Sequence, residues 1–461
     1  MKIRIFLLCL LPFASARTEE ISYGKWTLSI NRDAGRIERL SYSGEQLADR
    51  METLLKTEKK TAPRKLKQVR REKNVLLLNW SYAPWNIAER IEFDACGGPG
   101  LLKQSCEVLY SPRENTGEPE AFHGVISELL MPKDRDYYLP GAICGDTRRQ
   151  TGGNRSQSAD QHLKLARNPV HHRGSLKNLP EKMRLTPAFT SHTILLQTPA
   201  PTSLAFIFDE RREFIYLTVG IRNGKAFVKR DMHAHGWAYP GKPQTGIGPV
   251  YLQVLPGTKL ENALAEALPR WYRAIGALPP ENRSPWIYGA GIYELHPRFG
   301  VDQGLLRAGD LIPRAKALGF NTLHVMPVQD GPRHWYNPRH FFRIDRHAGT
   351  PDDLRTLVNK AHSHGMKAWV DLVPHGGELP EIMQRGTPAY WIPFSRKGEV
   401  FGRYPNDYKQ PEYQDYICRV TEFYMKEYGL DGFRVDQPWG SQPNWRKKNY
   451  PAKDKVPKGL T

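Results

Sequence analysis

The sequence predicts a multidomain chain of the β plus α/β class, an N-terminal antiparallel β-sandwich followed by a parallel βα region. Three observations carry this. From about residue 20 to 257, short apolar runs alternate with turn residues and no helical stripe intervenes. Beyond Trp286, a helical stripe, a glycine and a buried strand recur in that order. Between them lies Leu278-Pro-Pro-Glu-Asn-Arg-Ser-Pro285, a linker composition at which the periodicity changes. At 461 residues, with 39% hydrophobic and 11% aromatic content, the chain has room for two or three packed domains and is neither disordered nor fibrous.

Taken in order, Lys2 and Arg4 precede the apolar run Ile5 to Phe13, and Ala14-Ser15-Ala16 closes it with small residues. This is the pattern of a signal peptide over residues 1–16, so a secreted or periplasmic protein is expected, with no membrane span. Cys9 leaves with that segment. Cys96, Cys106, Cys144 and Cys418 remain in an oxidising compartment. Cys96 and Cys106 flank Gly-Gly-Pro-Gly and are placed to pair across a hairpin tip. Cys418 falls at a helical apolar position, where a buried free thiol is expected.

Within the sandwich, residues 17–276, strands are read at Trp26-Thr-Leu-Ser-Ile, Val75-Leu-Leu-Leu-Asn-Trp, Leu204-Ala-Phe-Ile-Phe and Val250-Tyr-Leu-Gln-Val, among others. Residues 145–190, rich in Arg, Gly, Asn and Pro, read as a long insertion or loop. The net charge of +19 is spread along the chain without a nucleic-acid motif. Its densest run, Lys56 to Lys73, reads as a solvated turn and strand face. His171-His172 and His233-Ala-His235 lack a carboxylate or cysteine at ligand spacing, so no metal is expected there. Trp80, Trp85 and Trp237 are either core residues or platforms for sugar rings. A helix over 261–276 buries Leu264, Leu268, Trp271 and Ile275.

After the linker, 277–285, Ile287 to Leu295 reads as a strand and Asp310 to Leu318 as a helix stopped at Gly319. The strand Asn321-Thr-Leu-His-Val-Met-Pro follows. Thr350 caps the next helix, with Pro351 in its first turn and Asp353 at the reciprocal capping position. That helix stops at Gly365, and Met366-Lys-Ala-Trp-Val-Asp-Leu-Val is the next strand. A helix from about Glu412 to Tyr428 stops at Gly429, before a strand ending in Arg434 and Asp436.

Strand side chains alternate, so Arg434 and Asp436 share a side, and the cation favours an ionised Asp436 that can serve as nucleophile or charge stabiliser. Polar residues also stand at the other strand ends: His296, Gln329 with Asp330, and Asp371 with His375. In a parallel βα barrel, reactive groups sit at such ends.

These residues resemble the α-amylase family of glycoside hydrolases (glycoside hydrolase family 13). Gly432-Phe-Arg-Val-Asp436 matches its nucleophile motif, and Lys316-Ala-Leu-Gly-Phe-Asn-Thr-Leu-His-Val-Met-Pro matches its second helix-strand unit. Tyr336 through Phe342-Arg-Ile-Asp-Arg-His-Ala-Gly-Thr-Pro-Asp-Asp-Leu and on to Asp371 matches the loop, helix and third strand that follow. The resemblance covers 286 to about 440. It implies an incomplete (β/α)8 TIM barrel over residues 286–461 and a retaining reaction on α-linked glucans. Asp436 would be the nucleophile and Arg434 its anchor, with Asp371, His375 and Tyr336 at the sugar.

Two departures matter. The family's third-strand motif ends in Asn-His at four and five residues after the aspartate, where this chain has His375 and Gly376. That asparagine serves calcium in many members, so no cofactor is expected here. A retaining glycosidase also needs a second carboxyl group as acid and base. The family carries it after the fifth strand, and four βα units are read here. The expectation is therefore a fragment, inactive alone. Two rival readings stand: a non-catalytic carbohydrate-binding protein with a degenerate barrel, and an enzyme of the α-galactosidase type, which also joins a sandwich to a barrel.

Overall fold

The computed structural model describes residues 18–34, 36–112, 117–139, 173–178, 183–185, 193–209, 214–233, 236–244, 247–278, 281–297, 304–332, 336–402, 404–408, 410–436 and 458. The expected signal segment, Cys144, His171, His172 and His235 lie outside them. The insertion read over 145–190 also lies largely outside, apart from the short strands Arg173–Ser175 and Met183–Leu185 and the 3-10 turn Leu176–Asn178.

The chain divides into two compact units, Met1–Asp209 with Ile215–Met232 and Ala238–Gly276, and Glu210–Phe214 with His233–Trp237 and Ala277–Thr461. Among the described residues, the first holds two ten-stranded antiparallel sheets. In one, Thr18–Tyr23, Trp26–Asn31, Arg36–Tyr42, Arg50–Thr57, Glu120–Met131 and Lys225–His233 lie side by side; in the other, Thr202–Phe208, Val250–Pro256, Leu101–Tyr110, Trp85–Glu92, Val75–Tyr82 and Lys65–Glu72 do. The period-2 pattern is clearest in Trp85–Glu92, where Trp85, Ile87, Glu89 and Ile91 point inward and the residues between them face solvent.

A buried carboxylate ties the sheets together. Glu89, 1% exposed, accepts hydrogen bonds from Thr53 Oγ1 of the opposite sheet at 2.8 Å and from Trp80 Nε1 at 2.6 Å. The Arg64 guanidinium lies 3.5 Å from it and 3.7 Å over the Trp80 ring. Trp80 and Trp85 are both buried, so neither offers a ring to a sugar; Trp237 is half-buried. Inward alternation accounts for both: each sits on the core side of its strand. The basic run surfaces on Lys65–Glu72, the edge strand of its sheet, where charged side chains discourage pairing with another chain.

Cys96 and Cys106 are both free, contrary to the expected bridge. Cys106 lies within the strand Leu101–Tyr110, paired with Glu89, whereas Cys96 sits at positive φ in a short turn, so they do not face across a hairpin tip. Cys418 is free but exposed, because the buried stripe of its helix runs through Tyr413, Val420, Tyr424 and Tyr428 instead. The helix Leu260–Ala274 packs on the second sheet through Leu260, Ala263, Ala267 and Trp271. Three of the expected stripe residues, Leu264, Leu268 and Ile275, are only partly buried. The face is rotated toward the alanines, which allow closer approach to the strands.

In the second unit, four strands form one parallel sheet in the order Ile292–Leu295, Thr322–Val325, Lys367–Leu372 and Gly432–Val435. The first is shorter than expected because Pro285–Gly289 winds into a 3-10 turn before it. The helix read over 310–318 is two short ones, Gly304–Asp310 and Ile312–Ala317, since Pro313 supplies no amide to bridge them. Pro351–Ser363 carries the full capping box: Asp353 N donates to Thr350 Oγ1 at 3.2 Å, and Thr350 N donates to Asp353 Oδ2 at 2.7 Å. Leu354, Leu357, Val358 and Ala361 of this helix bury against Leu323, Val325, Ala368 and Val370 of the sheet. Pro411–Tyr428 closes at Gly429, φ +70°, a left-handed turn that glycine adopts without strain. This core fixes the register of the strand ends.

Candidate active site

The polar residues gather on one face of the parallel sheet. Asp371 is the penultimate residue of the third strand and Arg434 lies opposite it on the fourth, in direct register. Strand alternation brings Asp436 to the same side, and Arg434 Nη1 lies 2.6 Å from Asp436 Oδ1 and 3.3 Å from Asp371 Oδ2. One guanidinium thus spans two carboxylates. Asp371 has a fully buried side chain and Asp436 is 6% exposed, while Arg434 keeps a solvent-facing side. Burial alone would lower the Arg434 pKa, but Asp371 and Asp436 more than reverse this and raise it. The group is a fixed cation.

Asp371 needs several partners to be buried as a charge. Tyr336 Oη donates to its Oδ2 at 2.8 Å, and His324 Nε2 lies 2.8 Å from its Oδ1. Its backbone carbonyl accepts from Gln329 Nε2 at 2.9 Å. Burial first, and then the Asp371 carboxylate, push the Tyr336 phenol well above its usual value, so it remains a donor.

His375, 3% exposed, places Nε2 3.5 Å from Asp436 Oδ2 and packs its ring 4.2 Å from that of Tyr404. Its carbonyl accepts from Asn406 Nδ2, and Tyr413 Oη donates to the carbonyl of Pro374. At Gly376, φ +73°, a Cβ would lie 2.9 Å from Asn406 Nδ2, so glycine is required for this close approach. His375 therefore reaches Asp436 from the fourth position after Asp371, and a distant loop asparagine fills the adjoining space. Among the described residues no three histidine, cysteine or acidic side chains converge on a common point.

Asp436, Arg434, Asp371, Tyr336 and His375 are thus brought together. His296 stands half-buried just past the first strand. Asp330 instead pairs with Arg339 at 2.8 Å, in a separate two-stranded hairpin. The sequence reading missed His324 and Glu294, which face each other across the first two strands with Nδ1 3.1 Å from Oε2. A buried carboxylate held by an arginine, a phenol and an imidazole, beside a second carboxylate on the same arginine, can orient a polyhydroxylated ligand and present a nucleophilic oxygen.

Residues 309–385 match the family described as Alpha amylase, catalytic domain. Over 234 residues the chain is 27% identical to malto-oligosyltrehalose trehalohydrolase of Deinococcus radiodurans, covering 48% of this chain and 38% of that protein. Over 168 residues it is 31% identical to the 1,4-alpha-glucan-branching enzyme of Aspergillus oryzae, covering 34% of this chain and 24% of that protein. The chain thus spans well under half the length of both relatives. In fold it is similar to an alpha-galactosidase from Lactobacillus brevis, with a TM-score of 0.56 at 10% identity, over 95% of this chain and 66% of that one. That likeness concerns the fold alone.

Proposed function

The second unit is a relative of the α-amylase family of glycoside hydrolases, and from that premise we propose that this chain carries the nucleophile side of a retaining site for α-linked glucans. The observation that supports it most is the Arg434 bridge between Asp436 and Asp371 at the ends of adjacent parallel strands. In the proposed reaction an Asp436 oxygen attacks the anomeric carbon, the glycosidic C–O bond breaks, and a glycosyl ester forms on Asp436. Arg434 holds that carboxylate in place. Asp371, with Tyr336 and His375, receives the sugar hydroxyls. Water then gives hydrolysis, and a sugar hydroxyl gives transfer.

The reaction needs a second carboxyl group about 5–5.5 Å away to protonate the leaving oxygen. We place it at a strand end other than those of the four parallel strands. The reading likewise takes the parallel sheet as part of a (β/α)8 barrel. In support, Ile292 and Val435 on the two outermost strands are 43% and 46% exposed, apolar positions that further strands would cover. Export, from the N-terminal segment, completes the proposal.

Calorimetric titration of the full chain with maltooligosaccharides and with melibiose tests the substrate class. Binding of the former, lost in Asp371→Ala, is expected. Binding that survives Asp371→Ala supports a carbohydrate-binding protein instead, and preference for melibiose supports an α-galactoside enzyme. Glucan hydrolysis by this chain alone, abolished in Asp436→Asn, would remove the assignment of the acid/base to a strand end outside these four.

A further inference from the structure

His324 lies between two carboxylates, and the proposed reaction gives it no role. Its side chain is buried in the sheet, with Nε2 2.8 Å from Asp371 Oδ1 and Nδ1 3.1 Å from Glu294 Oε2. A neutral imidazole has one N–H and one lone pair. A carboxylate oxygen faces each ring nitrogen within hydrogen-bond reach. The groups form one line: Glu294, His324, Asp371, Arg434 and Asp436, spread over all four parallel strands. One end, Glu294, has a side chain 60% exposed, and the other is the buried Asp436.

We propose that His324, held between Glu294 and Asp371, is a positioning residue that sets how Arg434 divides itself between Asp371 and Asp436. The inference rests on the reading of Asp436 as the reacting carboxylate. The groups that face His324 are Glu294 on the first strand and Asp371 on the third; Tyr336 and Arg434 reach it through Asp371. With His324 at Oδ1, Asp371 has a partner besides Arg434, and Arg434 sits nearer Asp436, at 2.6 Å against 3.3 Å. Without the imidazole, Arg434 is drawn toward Asp371, and Asp436 loses its anchor.

The test combines a kinetic and a crystallographic readout on the full chain. The kinetic probe is 5-fluoro-α-D-glucosyl fluoride, whose fluoride departs with the bonding pair as Asp436 attacks C1, so no acid is needed. Labelling should slow about ten- to a hundredfold in His324→Ala, and His324→Gln, which keeps a donor toward Asp371, should recover part of the rate. Labelling in His324→Ala that matches wild type overturns the proposal. Failure of wild type to label Asp436 counts against the nucleophile reading instead. The positioning role is then decided by crystal structures: an unchanged Arg434–Asp436 distance in His324→Ala refutes it, and a shift toward Asp371 upholds it.

Discussion

Tyr336 Oη donates a 2.8 Å hydrogen bond to Asp371 Oδ2, joining the loop after the second strand to the end of the third. The phenol that the resemblance places at the sugar is thus first a donor to a buried carboxylate. Hydrogen bonds to charged groups contribute about 1.5–3 kcal/mol. Tyr336→Phe should lower stability by about 1.5 kcal/mol in urea denaturation and weaken maltooligosaccharide affinity. A stability unchanged within error would show that the bond forms only transiently.

Glu89 carries a comparable burden in the first unit. Removing one member of a buried charged pair costs about 3–5 kcal/mol, because the other is left uncompensated. Glu89→Ala strands Arg64, 9% exposed at its side chain, together with the Trp80 Nε1 donor. A loss of about 3 kcal/mol is expected by chemical denaturation, and a loss under 1 kcal/mol would contradict the assigned network.

Thr350 is a cleaner local test. Replacing an N-cap threonine by alanine costs about 1 kcal/mol. Thr350→Ala should show that loss, and Thr350→Ser should restore most of it, since the hydroxyl acceptor for Asp353 N is kept.

The thiols give a prediction in pH. Burial pushes the Cys106 thiol up from 9.0 to about 12, with Arg230 opposing. The sign follows: the unfolded chain loses this proton near pH 9 and the folded chain does not. The stability it contributes is therefore complete below about pH 9 and disappears as pH rises toward about 12. Wild type should lose more stability than Cys106→Ala between pH 8 and about 10. Without reductant, iodoacetamide should label the exposed Cys96 and Cys418 fast and Cys106 slowly, whereas a Cys96–Cys106 bridge would protect both.

Much of the candidate site was legible because its residues obey local rules. Arg434 and Asp436 are two apart on a strand, and Asp371 stands near the end of a strand that follows a capped helix and a glycine. His324 and Glu294 were not legible for a nonlocal reason. Each is a single polar residue inside a short strand, and their meeting depends on the parallel register that sets Glu294 beside His324 and His324 beside Trp369. Gly432 shows the same limit: a Cβ there would meet the Trp369 indole at 2.8 Å, a restriction visible only across two strands. In the first unit, alternation gave the strands, but which tryptophans face inward depended on how the two sheets meet. The exposed Cys418 and the rotated Leu260–Ala274 stripe are likewise set by the partner surface, which single-helix periodicity does not contain.

The central claim is that Asp436 is a glycosyl nucleophile. Its most direct measurement is peptide mass mapping of the full chain after incubation with 5-fluoro-α-D-glucosyl fluoride. The account predicts one fluoroglucosyl ester on Asp436, absent in Asp436→Asn. A protein that stays unlabelled, or an ester on another residue that persists in Asp436→Asn, would contradict it.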